Sequence, residues 1–102
     1  MNEISIYSTP TFRFRFRTFN VSDISNAWLT VKCGSVKIQK PLEESFIEDD
    51  MLCWTLTQEE TKTLPENMAA KVMCDWLVGT RRGRSLIGTY KVTETGREEV
   101  MA

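Results

Sequence analysis

The chain has 102 residues, of which 41% are hydrophobic and 26% charged, and its formal net charge is −1. This length suits one domain with a single core. Its apolar runs are far shorter than the about 20 residues of a membrane-spanning helix, and its first residues lack the basic and apolar regions of a secretory signal. These features predict a soluble domain that remains in the cytoplasm, or in an assembly built there.

The chain contains no histidine and only three cysteines, Cys33, Cys53 and Cys74. An odd number of widely spaced cysteines without a secretory signal argues against a disulfide framework. Without histidine or a C-x-x-C pair, zinc lacks its usual ligands, and a serine or cysteine nucleophile lacks its usual base. We therefore expect buried cysteines in strands, no metal or other cofactor, no small-molecule substrate and no enzymatic activity.

Two strands are predicted at the start of the chain. The first covers 3–8, and the second covers 11–19, which reads T-F-R-F-R-F-R-T-F. Only a β-strand separates aromatic and cationic side chains that alternate with a period of two. The prediction places one set in the core and the other outside: Phe12, Phe14 and Phe16 against Arg13, Arg15 and Arg17.

A hairpin follows, because 27–33 and 36–40 both alternate and are joined by Gly34-Ser35. Its first strand places Trp28, Thr30 and Lys32 on one face. Residues 41–50 are rich in acid and predict a loop or irregular edge. Two apolar side chains, Phe46 and Ile47, are expected to anchor this segment in the core.

Residues 51–56 predict another strand, with Leu52, Trp54 and Leu56 facing inward. Thr57-Gln58-Glu59-Glu60 then matches a capping box, in which Thr57 and Glu60 bond each other's backbone N–H groups. The sequence predicts one short helix over 57–64, ended by Pro65.

Residues 68–78 are rich in alanine, which is compatible with a helix, but their alternation favours a strand. A turn-rich segment, 79–84, predicts a second hairpin, and 85–92 form the last strand. About seven short strands and one helix indicate a mainly β fold, an antiparallel immunoglobulin-like sandwich or small barrel. We expect one domain, 1–92, and a polar C-terminal tail, 93–102.

Charge is distributed unevenly. Residues 1–40 carry six basic side chains against two acids, 41–66 carry one against eight, and 67–102 carry six against four. Such complementary patches favour protein contacts, including head-to-tail pairing of copies. The candidate interface comprises three groups: Arg13, Arg15 and Arg17; Glu43, Glu44, Glu48, Asp49 and Asp50; and Arg81, Arg82 and Arg84 in the hairpin loop.

Three interpretations of the arginines stay open. They form a solvated face or pair with acids of their own chain, they contact another protein, or they bind nucleic acid. The near-neutral total argues against generic nucleic-acid binding. Like charges repel along one strand, so the arginines on 11–19 are expected to have an acidic neighbour.

Six pieces of the chain, spread over 11–92, resemble small β-sandwich domains of tailed-phage virion proteins. The run L-T-Q-E-E-T-K-T-L-P is similar to a segment that recurs in the N-terminal domains of baseplate upper proteins and tail fibre-attachment proteins. The pieces are Phe12–Arg17, Ala27–Lys32, Leu56–Pro65, Asp75–Leu77, Gly79–Arg84 and Gly88–Val92.

This resemblance implies an immunoglobulin-like sandwich that docks proteins onto a virion or tail tip through symmetric copies. It carries over no individual binding residues. The function expected is a non-enzymatic structural or adaptor protein of a phage or prophage particle, with other virion proteins and itself as partners. The alternative is a small β-barrel that binds nucleic acid through Arg13, Arg15, Arg17 and the 81–84 loop. A third idea is a phage inhibitor of a host protein.

Overall fold

The computed structural model describes residues 2–93, which fold into two β-sheets packed face to face. The predicted tail falls outside these residues except for Thr93. The elements are β1 (Asn2–Ser5), β2 (Thr11–Phe14), β3 (Asn26–Cys33), β4 (Val36–Pro41), β5 (Phe46–Glu48), β6 (Met51–Thr55), α1 (Gln58–Thr61), β7 (Ala69–Val78) and β8 (Arg81–Thr93). Single 3₁₀ turns at Val21–Asp23 and Leu42–Glu44 precede β3 and β5.

The strand order is that of an immunoglobulin-like sandwich. One sheet has the order β1-β8-β7-β3-β4 and the other β2-β6-β5. In the immunoglobulin fold, strands B, E and D share one sheet, and strands G, F and C share the other, which C′ extends in variable-type domains. The order confirms the predicted β-sandwich. One pairing is not antiparallel, since β1 runs parallel to β8.

The core lies between the sheets and draws side chains from both. Trp54 on β6 is fully buried, and its Nε1 donates a hydrogen bond to the Pro41 carbonyl at 3.0 Å. Leu52 and Leu56 are buried beside it, as predicted. The remaining buried hydrophobic side chains of the cluster are Ile4, Ile6, Phe12, Ala27, Leu29, Val31, Cys33, Leu64, Ala70, Val72, Cys74 and Val92.

The predicted capping box is present at α1. The Glu60 amide donates to Thr57 Oγ1 at 3.1 Å, and the Thr57 amide donates to Glu60 Oε1 at 2.8 Å. Lys40, which is buried, also donates to Glu60 Oε1 at 2.9 Å. Burial favours a higher pKa for Glu60, but these hydrogen bonds outweigh it and hold the pKa below its ordinary value. The helix ends at Thr61, earlier than the predicted 64.

The strand predicted over 11–19 ends at Phe14, which corrects its length. Its partner β6 begins at Met51, and Phe14 already pairs with Leu52, so the chain beyond Phe14 soon runs out of strand to pair with. Phe12 is buried, whereas Phe14 and Phe16 are half-buried. Phe16 contacts Trp76 of β7 edge to face, with ring centroids 6.1 Å apart.

The second hairpin is tighter than predicted. Its turn is Gly79-Thr80 alone, with Gly79 at φ +58, and β8 already starts at Arg81. Two-residue turns with a positive φ at their first position match the twist of antiparallel strands. The predicted hairpin loop at 81–84 is therefore wrong, because Arg81, Arg82 and Arg84 belong to the strand β8. The strand predicted over 68–78 is confirmed as β7.

Candidate functional site

Two of the three arginines of the 11–19 segment contact the end of β5 and the β5–β6 turn of their own chain. Arg13 Nη2 lies 3.5 Å from Glu48 Oε1, and Arg15 Nη2 donates to the Asp49 carbonyl at 3.0 Å. This is the pairing with acids of the same chain that the sequence left open. Arg17 is exposed and makes no ion pair, hydrogen bond or ring contact with other residues of 2–93. Of this group, Arg17 alone keeps an unengaged guanidinium in that range.

The three arginines of β8 are engaged as well. The guanidinium of Arg81 lies 5.3 Å from the Phe19 ring centre, and that of Arg82 lies 5.3 Å from the ring centre of Trp28. Both are cation–π contacts. Arg84 Nε donates to Asp75 Oδ1 at 2.6 Å. Hydrogen bonding and the negative charge of Asp75 raise the pKa of Arg84.

Asp75 was not among the predicted interface residues, yet it organises the outer face of the five-stranded sheet. Its side chain is buried although it points away from the core, and Thr30 Oγ1 donates to Asp75 Oδ2 at 3.1 Å. Gln39 Nε2 in turn donates to Thr30 Oγ1 at 3.4 Å. Hydrogen bonds therefore connect β8, β7, β3 and β4 across this face, and they fix the positions of the side chains around them.

Three lysines form a row on the same outer face. Lys32 of β3 pairs in register with Lys37 of β4 on one side and with Lys71 of β7 on the other. Neighbouring strands lie about 4.8 Å apart, so these cations are close neighbours. All three are exposed, and none forms an ion pair within the described part of the chain. Like charges opposite each other on a sheet are destabilising, so this lysine row favours an anionic partner.

An apolar row lies beside the lysine row. Met73 of β7 pairs with Leu86 of β8 and with Thr30 of β3, one step along the outward-facing positions from Lys71 and Lys32. Leu86 is 59% exposed. A bulge between Val72 and Met73 skips one residue of β8 and keeps Leu86 in this row. The outer face thus combines a cationic row with an exposed apolar centre.

Residues 43–50, here named the acidic edge, form a second surface. Phe46 and Ile47 are 40% and 61% exposed, so the prediction that they anchor this segment in the core is wrong. They lie on β5, a three-residue strand at the free edge of the smaller sheet. The acids around them are all exposed: Glu43, Glu44, Glu48, Asp49 and Asp50.

A third feature is an aromatic cleft of about 270 Å³, lined by Phe14, Phe16, Phe19 and Trp76 among others. Arg15 and Arg17 lie on its rim. The rings pack against one another, with Phe14 and Phe16 edge to face at 4.8 Å. Phe16 and Phe19 also contact Trp76, so the rings of the cleft stabilise one another.

The cysteines are buried in strands, which confirms the prediction made for them. Burial raises the pKa of the Cys33 and Cys53 thiols, and it raises that of Cys74 to about 12. These thiols stay protonated at neutral pH, and a protonated thiol is a poor nucleophile and metal ligand. Within residues 2–93, no group of three or more Cys, Asp or Glu is placed to hold a metal ion.

No helix in the described range is long and apolar enough to cross a membrane. No known protein family matches this chain, and neither a curated protein nor a solved structure is significantly similar to it. The candidate site therefore rests on the chain's own geometry: the outer face of the larger sheet and the acidic edge.

Proposed function

We propose that this chain is a non-enzymatic structural or adaptor protein of a phage or prophage particle that acts through protein–protein contacts. Six pieces of sequence in the order found in small virion sandwich domains support the virion setting. The observation that carries the contact function is the exposure of Phe46 and Ile47 on the acidic edge.

Exposed apolar side chains on a free strand edge favour association. An edge strand presents unpaired backbone N–H and C=O groups, and proteins usually protect such edges or cover them with a partner. Here the strand is short and flanked by acids, which limits indiscriminate pairing. A partner with apolar and basic side chains satisfies both features, whereas a uniformly apolar one leaves the acids uncompensated.

Particle incorporation tests this proposal. Particles are purified by density gradient from cells that produce the wild-type chain, the double variant Phe46→Ser/Ile47→Ser, or the control Met68→Ser. Met68 is 42% exposed but lies outside the acidic edge. We expect the wild type and the control in the particle fraction, and the double variant folded but absent from it. Absence of the wild type from particles would overturn the virion setting, and equal incorporation of all three would overturn the role of the edge.

The alternative, nucleic-acid binding, now depends on different residues from those first considered. Arg13, Arg15 and the β8 arginines contact groups of their own chain, which leaves Arg17 and the lysine row for phosphates. Anisotropy titrations with short single- and double-stranded DNA at about 50 mM salt test it, since phosphate contacts are strongest at low salt. Absence of binding there would exclude this alternative.

A further inference from the structure

The lysine row forms no ion pair within the described residues, and its apolar neighbours are partly exposed. Lys32 faces a like charge on both sides, an arrangement that costs stability unless an anion lies nearby. Leu86 is exposed beside it, and Met73 is half-buried. The complement is therefore an acidic surface that also carries apolar side chains.

The acidic edge is such a surface. Its apolar pair, Phe46 and Ile47, lies between two acids of the 3₁₀ turn on one side and three acids around the β5–β6 turn on the other. The edge therefore places acids on both sides of an apolar pair, and the outer face places a cationic row beside an apolar one. Charge and hydrophobicity match between the two surfaces.

One copy does not satisfy both surfaces by itself. From Lys37 the chain runs along β4 to Pro41 before the acidic edge begins, a span of about 14 Å at 3.4 Å per residue. The edge belongs to the other sheet, and its ion pair goes to Arg13 and not to the lysine row. The complementary contact thus requires a second molecule.

We infer that the lysine row, with Met73 and Leu86, binds the acidic edge of a second copy of this chain. This inference rests on the proposed contact function and names its partner. The two surfaces differ, so the contact is heterologous and repeats from copy to copy into a ring or a filament. It also assigns the cationic role to the lysines of β3, β4 and β7, in place of the arginines of 11–19.

Light scattering across a concentration series tests the inference with two variants. Lys32→Glu/Lys71→Glu reverses the row, and Arg17→Glu is the control, an exposed cation that belongs to the other candidate group. Circular dichroism melts establish that both variants fold. We expect the wild type and Arg17→Glu to grow in mass with concentration, less so at high salt, and the lysine variant to stay monomeric.

Two results would overturn the inference without touching the proposed function. One is a wild type that stays monomeric at millimolar concentration although it is found in particles, which would identify the partner as another protein. The other is loss of assembly in Arg17→Glu with assembly retained in the lysine variant. A third result would overturn both the inference and the proposed function. It is a wild type that does not self-associate but binds DNA, with the binding abolished in Lys32→Glu/Lys71→Glu.

Discussion

At the scale of single residues, the side chain of Trp76 determines which residue can occupy position 83. Gly83 pairs with Trp76, and a Cβ at Gly83 would lie only 2.2 Å from Cζ2 of the indole. Trp76 also contacts the rings of Phe16 and Phe19, so moving it away from a new Cβ would break those contacts. Glycine at position 83 is therefore required by packing, not by backbone conformation.

We predict that Gly83→Ala lowers the free energy of unfolding by about 1–3 kcal/mol, the usual cost of overpacking. Gly88→Ala on the same strand is the control, because its Cβ would meet the ring of Tyr90 at a milder 3.1 Å. Urea melts measure both. A loss for Gly83→Ala no greater than for Gly88→Ala would contradict the packing described for Trp76.

Because a buried thiol resists ionisation, we expect the folded state to lose stability at alkaline pH. The pKa of Cys74 is about 12 in the folded chain, against 9.0 for an ordinary thiol. Above pH 9 the unfolded chain loses this proton while the folded chain keeps it, so the folded state binds more protons and loses stability as pH rises. The contribution is fully present below pH 9 and declines between about pH 9 and 12.

We predict that the free energy of unfolding falls by up to about 1.4 kcal/mol per pH unit for this group over that range. The difference between the wild type and Cys74→Ala, followed in urea from pH 7 to 10.5, isolates it from the other titrating groups. The difference is expected to be constant to pH 8 and to shrink above pH 9. A difference that stays constant to pH 10.5 would show that Cys74 ionises normally.

At the scale of elements, local patterns predicted the strands better than their ends. Alternation located β3, β4, β6 and β7, and the capping box located α1. The length of β2 depends on where β6 begins, which lies 40 residues further along the chain. The pattern F-R-F-R-F-R continues past Phe14, but its partner strand β6 begins only one residue before the Leu52 that pairs with Phe14.

The candidate surfaces show the same limit. Alternation put Lys32 on one face of its strand with Trp28 and Thr30, and the Gly34-Ser35 turn alone sets Lys32 opposite Lys37. The register between β3 and β7 is non-local, so the sequence did not bring Lys71 beside Lys32. Similarly, nothing local distinguishes Phe46 and Ile47 from core residues, because their exposure results from the edge position of β5.

The β5–β6 turn offers a test of strand-connecting geometry. Its two central residues, Asp49 and Asp50, have φ of +51 and +59, the conformation in which Asn-Gly is preferred. We predict that Asp49→Asn/Asp50→Gly raises the free energy of unfolding by about 0.5–1 kcal/mol, since the left-handed conformation costs Gly least.

Thermal melts of Ser35→Gly provide the comparison for that variant. Ser35 is also in a two-residue turn, but its φ is not positive, so glycine there adds only unfolded-state entropy and lowers stability. If Asp49→Asn/Asp50→Gly lowers the melting temperature as Ser35→Gly is expected to do, the backbone assigned to the β5–β6 turn is wrong.

At the scale of the whole molecule, the fold shows where the basic and acidic segments of the sequence lie on the surface. The sequence predicted basic ends and an acidic middle, and the fold divides the basic residues into two groups. Arg13 and Arg15 contact the β5–β6 turn of their own chain, whereas the lysine row faces outward on the opposite sheet. The molecule therefore presents an acidic, partly apolar edge and a separate cationic, partly apolar face.

The lysine row complements the acidic edge, but neither surface complements itself. The behaviour of a mixture of two variants, each with one altered surface, can therefore be predicted. Glu43→Lys/Glu44→Lys reverses two charges of the acidic edge, leaves the Arg13–Glu48 pair in place and keeps the lysine row. Lys32→Glu/Lys71→Glu does the reverse. Each variant retains one intact surface, so neither is expected to bind its own copies.

Light scattering on an equimolar mixture of these two variants is the most direct measurement. We predict that each variant alone keeps the 11.8 kDa mass of one chain, and that the mixture forms complexes of at least twice that mass. A mixture that stays monomeric while the wild type assembles, or either variant assembling on its own, would contradict contact between the lysine row and the acidic edge.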